Sequence, residues 1–298
     1  MKNGRLTILA LGVPVALVAQ APAQAPAPVS LGQRLRAESP AVDRLLAEFH
    51  AREAFQKAEA LVPASVPAFD KATLNGALMS YFASSDLVRV YYLAGRTAES
   101  AGYWEKALEY FIKARDLAKS NAENVKDCFP KFADTLKAGV DVDKKALDEN
   151  RDRTKELRAK QTLDPGEQQE MDIIKGVEDR VATNEKWVGK CLAYVDAAKK
   201  EADAFTAKPD DLDKQIKAQA KELEDYKFKN DKEKWVEGAM SSKAYMASFP
   251  DNTTKAYYMF RMNVLDPSNK KVLREIDILQ GKTPAPEAKP AKGKKKGK

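Results

Sequence analysis

Residues 91–114 read YYLAGRTAESAGYWEKALEYFIKA, and this stretch decides the fold. Small and aromatic residues recur along it at helical spacing, on both sides of a glycine at residue 102. Small side chains let two antiparallel helices approach closely, while aromatic rings fill the space around them. The stretch therefore predicts a helical hairpin that turns at Gly102. The positions that define it are Tyr91, Gly95, Ala98, Gly102, Trp104, Ala107, Phe111 and Ala114.

This pattern resembles the tetratricopeptide repeat, a helix-turn-helix unit of roughly 34 residues. Tyr91 and Phe111 match the aromatic positions of the family's two helices, Gly95 matches its glycine, and both alanines of the second helix are in place. The sequence departs from the family at Lys119, where proline is preferred, and at Ala94, where leucine is usual. A generic amphipathic hairpin is the alternative interpretation of the same residues.

The resemblance implies hairpins that stack into a superhelix with a concave binding face. We expect an extended or helical segment of a partner protein to dock against the helix of residues 86–100, which the resemblance places on that face. The candidate partner-binding residues are Arg89, Tyr92, Arg96 and Glu99.

Weaker helical patterns precede this hairpin. Ser39 followed by Pro40 is typical of a helix start, with an N-cap residue and then proline at the first helical position. That helix is expected to reach about residue 62. Two further helices are expected over residues 69–82 and 85–100.

Near the carboxyl end, residues 253–265 and 270–279 have helical periodicity and are linked by Leu265-Asp-Pro-Ser-Asn269. This link resembles the junction between consecutive tetratricopeptide repeats, where proline halts one helix. The spacing is one residue short of the family pattern, so the repeat is degenerate. A stack needs about three repeats to bury its faces. The helices of residues 39–82 are therefore expected to serve as an atypical first unit.

The apolar residues of the stretch 167–205 advance in alternating steps of three and four, which is the heptad seam of a coiled coil. A straight helix of this length would be roughly 60 Å long. Asn184 fills one seam position, where a polar residue disfavours misaligned pairings; a solvent-facing asparagine is the alternative. The other seam positions are Ile174, Val177, Val181, Val188, Cys191, Val195, Ala198, Ala202 and Phe205.

The partners of this long helix are expected within the same chain. Residues 163–166 are a turn signal, so a helix over about 143–161 can fold back on the long helix as an antiparallel arm. A second turn at residues 208–211 precedes a helix that carries Leu212 and Ile216. Because the first arm is mostly polar, the sequence favours this later helix as the better partner.

The chain has 298 residues and a net charge of +7, from 51 Lys and Arg against 44 Asp and Glu. Residues 1–29 carry +2 and residues 282–298 carry +6, so the body between them carries −1. The body therefore has no excess of basic residues for binding nucleic acid. Its single histidine, His50, excludes a multi-histidine metal site and argues against a histidine-centred triad. We expect His50 to be a satisfied, half-buried side chain.

The amino terminus has the three-part layout of a secretory signal peptide. Residues 1–5 are basic, residues 6–19 carry no charge, and Ala19-Gln20-Ala21 offers small residues at the spacing that a signal peptidase accepts. The uncharged run is shorter than the roughly 20 residues that span a bilayer as a helix, so an uncleaved anchor is the weaker interpretation. We expect export to the periplasm or beyond, with the exact cleavage site left open.

Export places Cys128 and Cys191 in an oxidising compartment, where a disulfide between them is permitted. The alternative is that both are small buried apolar residues. If the arm pairs from the turn at residues 163–166, Cys191 would lie opposite a point about nine residues past Cys128, on the order of 13 Å along a helix. That mismatch stands unless Pro130 and Gly139 break the intervening helix.

The sequence contains no motif of catalysis or cofactor binding: Gly-x-Ser-x-Gly, His-Glu-x-x-His and a phosphate-binding loop are all absent. We therefore expect no enzymatic activity, no cofactor and no metal, and a protein as the partner. The tail, residues 282–298, has seven Lys against one Glu and no bulky apolar residue, which predicts disorder. Nucleic acid is not expected as a partner because no aromatic residue interleaves with these lysines.

The predicted architecture is all-α, a partial α-solenoid of tetratricopeptide-like hairpins with a long antiparallel coiled-coil insertion, which would also permit a homo-oligomer. The segments are a signal peptide (1–21), a disordered Ala/Pro-rich lead-in (22–38), helical hairpins (39–121), the insertion (122–234), carboxyl-terminal helices (235–281) and the lysine-rich tail (282–298). The expected function is a non-catalytic scaffold of the cell envelope. The alternative is a structural protein that binds anionic wall or lipid polymers through its tail.

Overall fold

The computed structural model describes residues 30–225 and 231–283. Within these ranges every regular element is an α-helix, which confirms the predicted all-α class. The helices are α1 (Leu31–Ala47), α2 (Ala51–Glu59), α3 (Leu74–Ser100), α4 (Trp104–Glu149), α5 (Arg151–Ala159), α6 (Pro165–Ala204), α7 (Ala207–Asp225), α8 (Lys232–Ser241), α9 (Lys243–Ala247), α10 (Asn252–Leu265) and α11 (Lys270–Leu279). The predicted signal peptide, residues 22–29 of the predicted lead-in and most of the predicted lysine tail lie outside the described residues.

The hairpin predicted from residues 91–114 is formed by the end of α3 and the start of α4. Gly102 turns the chain with a φ of 83°, a left-handed conformation that glycine adopts without steric cost. The predicted interior residues are at most 7 % exposed; they are Tyr91, Ala98, Trp104, Ala107, Phe111 and Ala114. Small and aromatic residues therefore pack in this hairpin as the sequence pattern indicates.

Helix α1 begins before the predicted start at Ser39. It extends from Leu31, and Pro40 lies inside it. The Ser39 hydroxyl does not cap the helix but donates to the Leu35 carbonyl, one turn earlier, at 2.7 Å. Residues 31–38 therefore belong to α1 and not to a disordered lead-in, because Leu35 is buried in the main core.

The helix expected to reach residue 62 is divided. Phe49 adopts a left-handed backbone with a φ of 61°, which ends α1 and redirects the chain into α2. A bulky residue is rarely found in this conformation, so the sequence offers no signal for a break at this position.

The helices expected over residues 69–82 and 85–100 form the single helix α3. Its N-cap is Thr73, whose side chain accepts a hydrogen bond from the Gly76 amide. Ser85, the first residue of the second expected helix, lies inside α3, and its hydroxyl donates to Glu201 of α6 at 2.7 Å. The hydrogen-bond partner of this hydroxyl is 116 residues away in the chain, so the local sequence does not reveal it.

Helix α4 continues through the predicted boundary between residues 121 and 122. It runs from the hairpin far into the expected insertion, and neither Pro130 nor Gly139 ends it. Buried contacts on both sides, such as those of Phe129, stabilise the helix across the proline. The described residues from Leu31 onward belong to one compact unit, and α4 crosses the boundary predicted between the hairpin and insertion segments without a break.

Helix α6 confirms the single long helix predicted over residues 167–205. Asp164 and Glu167 form a capping box at its start, with the side chain of each accepting from the backbone amide of the other. Its main partners are α4 and, near the turn, α5. The arm predicted over residues 143–161, which the end of α4 and α5 form, is thus the partner of α6. The prediction that α7 is the better partner of α6 is wrong.

Three contacts fix the register of α6 against α4 and α5. Phe129 packs against Tyr194, Asp143 pairs with Arg180, and Arg153 pairs with Glu170. The same register places Cys191 opposite residue 132, one helical turn from Cys128. The offset between the two cysteines along the helices is therefore smaller than the sequence indicated. Both cysteines are free thiols, buried in one apolar cluster.

The two carboxyl-terminal helices predicted over residues 253–265 and 270–279 are confirmed as α10 and α11. Asp251 caps α10 by accepting from the Thr254 amide at 2.7 Å. Helix α10 packs against the end of the α3–α4 hairpin: a β-carbon on Gly102 would lie 2.4 Å from the Phe260 carbonyl oxygen. None of the described helices combines the length and the apolar composition that a membrane span requires.

Candidate functional site

The candidate partner-binding residues of α3 lie on different faces of the helix. Arg96 pairs with an aspartate of α1, whereas Tyr92 contacts the segment that joins α6 to α7 and Glu99 contacts the first turn of α7. Arg89 is the most exposed of the four, at 58 %, with its Nε atom 3.8 Å from Glu201 Oε1. Other parts of the chain cover Tyr92 and Glu99, so the four predicted residues do not form one open surface in this structure.

Helix α7 and the residue pair before it occupy a groove beside α3. The rings of Tyr92 and Phe205 lie 5.1 Å apart, and Lys208 Nζ lies 5.4 Å from the centre of the Phe111 ring. Leu212 of α7 is fully buried and joins the main core. We call this site the α7 groove; its walls are Tyr92, Glu99, Phe111, Tyr257 and Arg261.

One wall of the α7 groove carries a buried carboxylate. Glu99 is 8 % exposed and accepts a hydrogen bond from Lys208 Nζ at 2.9 Å. The Tyr257 hydroxyl lies 3.3 Å from Glu99 Oε1 and 2.9 Å from Gln215 Oε1. Burial, and then the nearby charge of Glu99, raise the pKa of Tyr257 well above its usual value. The hydroxyl therefore stays protonated and serves as a hydrogen-bond donor.

A buried arginine joins the carboxyl-terminal helices to the α3–α4 hairpin. Arg261 is 4 % exposed, and its guanidinium lies 4.7 Å from the centre of the Trp104 ring. Its Nη1 and Nη2 atoms donate to Glu105 at 2.8 and 2.5 Å, and Nη1 also donates to the Gly102 carbonyl. Its Nε atom donates to Gln219 of α7 at 2.8 Å. One side chain thus connects α10, the hairpin turn and α7.

An apolar cleft of about 320 Å³ lies next to the α7 groove. It opens where the α1–α2 corner, the end of α3 and α10 meet, and Tyr257 is shared by the two sites. Its lining is mainly apolar and includes Leu46, Phe49, Ser100, Ala256, Tyr257 and Phe260. A cleft of this size and character is suited to one or two apolar side chains of a partner.

Phe49 holds one wall of this cleft at an energetic cost. Its left-handed backbone closes α1, with the His50 amide donating to the Leu45 carbonyl at 2.7 Å. Glycine usually occupies this position, and another residue costs roughly 1–2 kcal/mol. The Gln280 side chain fixes the strained turn by donating to the Phe49 carbonyl at 2.9 Å. Strain of this kind often marks a functional position.

Several of these residues were missed by sequence reasoning. The local sequence patterns gave no binding role to Tyr257, Phe260 or Phe49. The local sequence does not indicate the partners of Arg261, because Gly102 and Glu105 are more than 150 residues away. A buried arginine within a predicted apolar helix was the one available sign that a buried carboxylate would be near.

His50 lies beside the cleft and is half-buried, as expected. Its Nδ1 atom is 3.1 Å from Glu53 Oε1, and its side chain is 25 % exposed. Across residues 30–225 and 231–283, no group of three or more His, Cys, Asp or Glu side chains is arranged to hold a metal ion. The geometry described above is that of a groove filled by a helix of the same chain beside an open apolar cleft.

In comparisons with known proteins, no family model, no curated protein and no solved structure matches this chain. The fold and the site define the class of protein as an all-α chain of helical hairpins with a long antiparallel helix pair.

Proposed function

We propose that this protein is a non-catalytic scaffold in which tetratricopeptide-like hairpins hold a segment of a partner protein. The observation that carries the proposal is that the hairpin surface already holds a helix. Helix α7 lies against α3, α4 and α10 through ring packing at Tyr92, an ion pair at Glu99 and a hydrogen bond at Arg261. Helix-in-groove docking of this type is a common mode of peptide recognition.

The open cleft beside the α7 groove provides the contact for the partner. It continues the same surface past Tyr257, and its rim residues Ala47 and Thr253 are exposed. Phe49 presents a fixed aromatic wall, and a rigid wall reduces the entropy that binding would otherwise cost. We propose that apolar side chains of the partner enter this cleft.

The proposed location is the cell envelope, reached by export. It is supported by the basic residues 1–5, the uncharged residues 6–19 and the small residues that follow them. In this setting the α4–α6 pair acts as a projecting coiled-coil arm that separates the binding surface from other components. Sequencing the amino terminus of the protein from the envelope fraction tests this location, and an intact Met1 in a cytosolic fraction would refute it.

The binding function is tested by crosslinking inside the expressing cell. A photoreactive amino acid replaces Ala47 or Thr253 at the rim of the cleft, and a control replaces Ala182, which is exposed on α6. We expect one partner to be captured at both rim positions but not at Ala182. The purified partner should then bind the Phe49→Ala variant roughly tenfold more weakly than the wild type. Equal capture at all three positions, or binding that Phe49→Ala leaves unchanged, contradicts the proposal.

A second candidate function rests on the tail. Residues 282–298 carry +6 and contain no bulky apolar residue, which suits contact with an anionic polymer or lipid surface. Sedimentation with phosphatidylglycerol vesicles at low and high salt compares the full chain with one that ends at residue 283. Salt-sensitive binding that is lost with the tail supports this function, and equal binding by both chains refutes it.

A further inference from the structure

Helix α7 holds its groove through apolar and polar groups together. Leu212 is fully buried and Ile216 is partly buried, whereas Lys208, Gln215 and Gln219 make hydrogen bonds. The opposite face of α7 is charged and exposed, at Asp211, Lys214 and Lys217. The outer face therefore adds nothing to the groove, and another helix with the same inner groups can reproduce the contacts inside it.

The groove nevertheless discriminates between occupants. Glu99 and Arg261 are both less than 10 % exposed when α7 is in place, and each has one partner on α7. A helix that covered these charged groups without offering partners would pay the cost of their desolvation. The groove therefore favours a helix that supplies a cation to Glu99 and an amide to Arg261.

We propose that α7 is an autoinhibitory helix, an internal occupant that a helix of the partner displaces. The partner helix is then amphipathic and offers the same groups: Lys at the position of Lys208, Leu at that of Leu212, and Gln at those of Gln215 and Gln219. Leu212, Gln215 and Gln219 follow Lys208 by four, seven and eleven positions, and this spacing places all four side chains on one helical face. This inference rests on the proposed scaffold function and adds the partner's chemistry and its regulation.

A peptide of residues 205–221, FTAKPDDLDKQIKAQAK, tests the proposal in trans. It carries a fluorophore and is titrated into three full-length proteins: the wild type, the variant Leu212→Ala/Gln219→Ala, and the matched control Lys214→Ala/Lys217→Ala on the exposed face. We expect the peptide to bind the first variant roughly tenfold more tightly than it binds the wild type or the control. Equal affinity for all three proteins, or no binding to any, overturns the proposal.

Hydrogen exchange in the wild type provides a second test that needs no variant. If α7 leaves the groove while the rest stays folded, its amides exchange roughly a hundredfold faster than those of the buried segment 88–98 of α3. Added peptide should leave the α3 segment unchanged. Exchange of α7 only at the rate of α3 means that α7 opens with global unfolding, which overturns the proposal.

The two proposals fail in different ways. Equal peptide binding together with slow exchange in α7 removes autoinhibition, while capture of a partner at Ala47 and Thr253 still supports the scaffold. Loss of that capture refutes the scaffold, and the peptide measurements then report only on the stability of α7 in its groove. Capture that increases in Leu212→Ala/Gln219→Ala supports both proposals, and capture that does not change in this variant contradicts autoinhibition.

Discussion

Gly95 lies so close to Phe111 that a β-carbon at residue 95 would be 2.7 Å from the Cδ1 and Cε1 atoms of the ring. The ring is 1 % exposed and is also in contact with Tyr92, at 5.4 Å between ring centres. The absence of a side chain at residue 95 therefore sets how closely α3 and α4 approach. The hairpin that supports both the groove and the cleft depends on this contact.

Gly95→Ala should destabilise the protein, because the added methyl group must displace a ring enclosed on all sides. We expect the free energy of unfolding to fall by roughly 1–3 kcal/mol, measured by urea denaturation. Gly189→Ala is the control: it lies inside α6 with nothing within 4 Å of the added carbon, and it should raise stability by about 0.5–1 kcal/mol. Effects of the same sign at the two glycines would contradict this account.

Substitutions at Phe49 separate backbone strain from side-chain packing. Both Phe49→Gly and Phe49→Ala remove the ring, but only glycine relieves the left-handed conformation. The glycine variant should therefore be more stable than the alanine variant by roughly 1 kcal/mol, as measured by thermal or urea unfolding. At Ala47, within α1, the preference should be reversed, and Ala47→Gly should destabilise. An alanine variant as stable as the glycine variant would show that Phe49 is not strained.

The pair of Glu105 and Arg261 predicts a pH dependence. The hydrogen bonds from Arg261 lower the pKa of Glu105 below its ordinary value of 4.5. The stability that this pair contributes is therefore complete above pH 4.5 and is lost as the pH falls through the lowered pKa. Solvent screening reduces the size of the effect, because the Glu105 side chain is 62 % exposed.

Urea unfolding of the wild type and Glu105→Gln, from pH 7 down to pH 3, measures this dependence. The difference in unfolding free energy between the wild type and Glu105→Gln should be constant near neutral pH and should become smaller in acid. In an Arg261→Gln background the same substitution should produce no such trend, because the partner is gone. A gap that is independent of pH in the wild-type background would rule out the pair as its origin.

The cysteines should be unreactive in the native protein. Cys128 is 4 % exposed and Cys191 fully buried, and burial raises the pKa of both thiols. Since the thiolate is the reactive form, we expect alkylation at pH 8 to be roughly a hundredfold slower in the folded protein than in urea. Both thiols should be detected in urea without a reductant. Detection of none would instead identify the disulfide that the sequence permitted.

The tip of the α4–α6 pair should be dispensable for folding. Leu157, Met171 and Ile174 form a cluster separate from the two larger cores, and Arg180 Nε lies 2.7 Å from Asp143 Oδ2 at its base. Replacing residues 144–179 with a short Gly/Ser loop should lower Tm by only about 2–4 °C, measured by circular dichroism, because the exposed ion pairs of the arm contribute little. A loss of cooperative unfolding would show that the arm stabilises the body.

The sequence predicted best what local interactions determine. The α3–α4 turn follows from Gly102, and the start of α6 follows from Asp164 and Glu167, whose capping groups are neighbours in the chain. Prediction was poorest at the prolines. Pro40 and Pro130 both lie inside helices, because burial on either side of each proline outweighs the loss of one hydrogen bond.

The candidate site was predicted only in part for a related reason. The position of α3 in the hairpin was anticipated, but the placement of α7 over Tyr92 and Glu99 was not. The apolar pattern of α7 fits the seam of α6 as well as it fits the groove, so periodicity does not distinguish them. The hydrogen bond from Arg261 to Gln219 spans 42 residues, and only the folded chain brings the two together.

The amino-acid sequence by itself determined that this protein is helical, where its hairpin turns and that one helix is unusually long, since spacing, caps and glycine act within a few residues. Tertiary structure alone decided which helix fills the groove, where Phe49 bends the chain and how the carboxyl-terminal helices attach. Those outcomes depend on buried polar groups finding partners far away in the chain, and the cost of leaving such groups unpaired selects among packings that the apolar pattern allows equally.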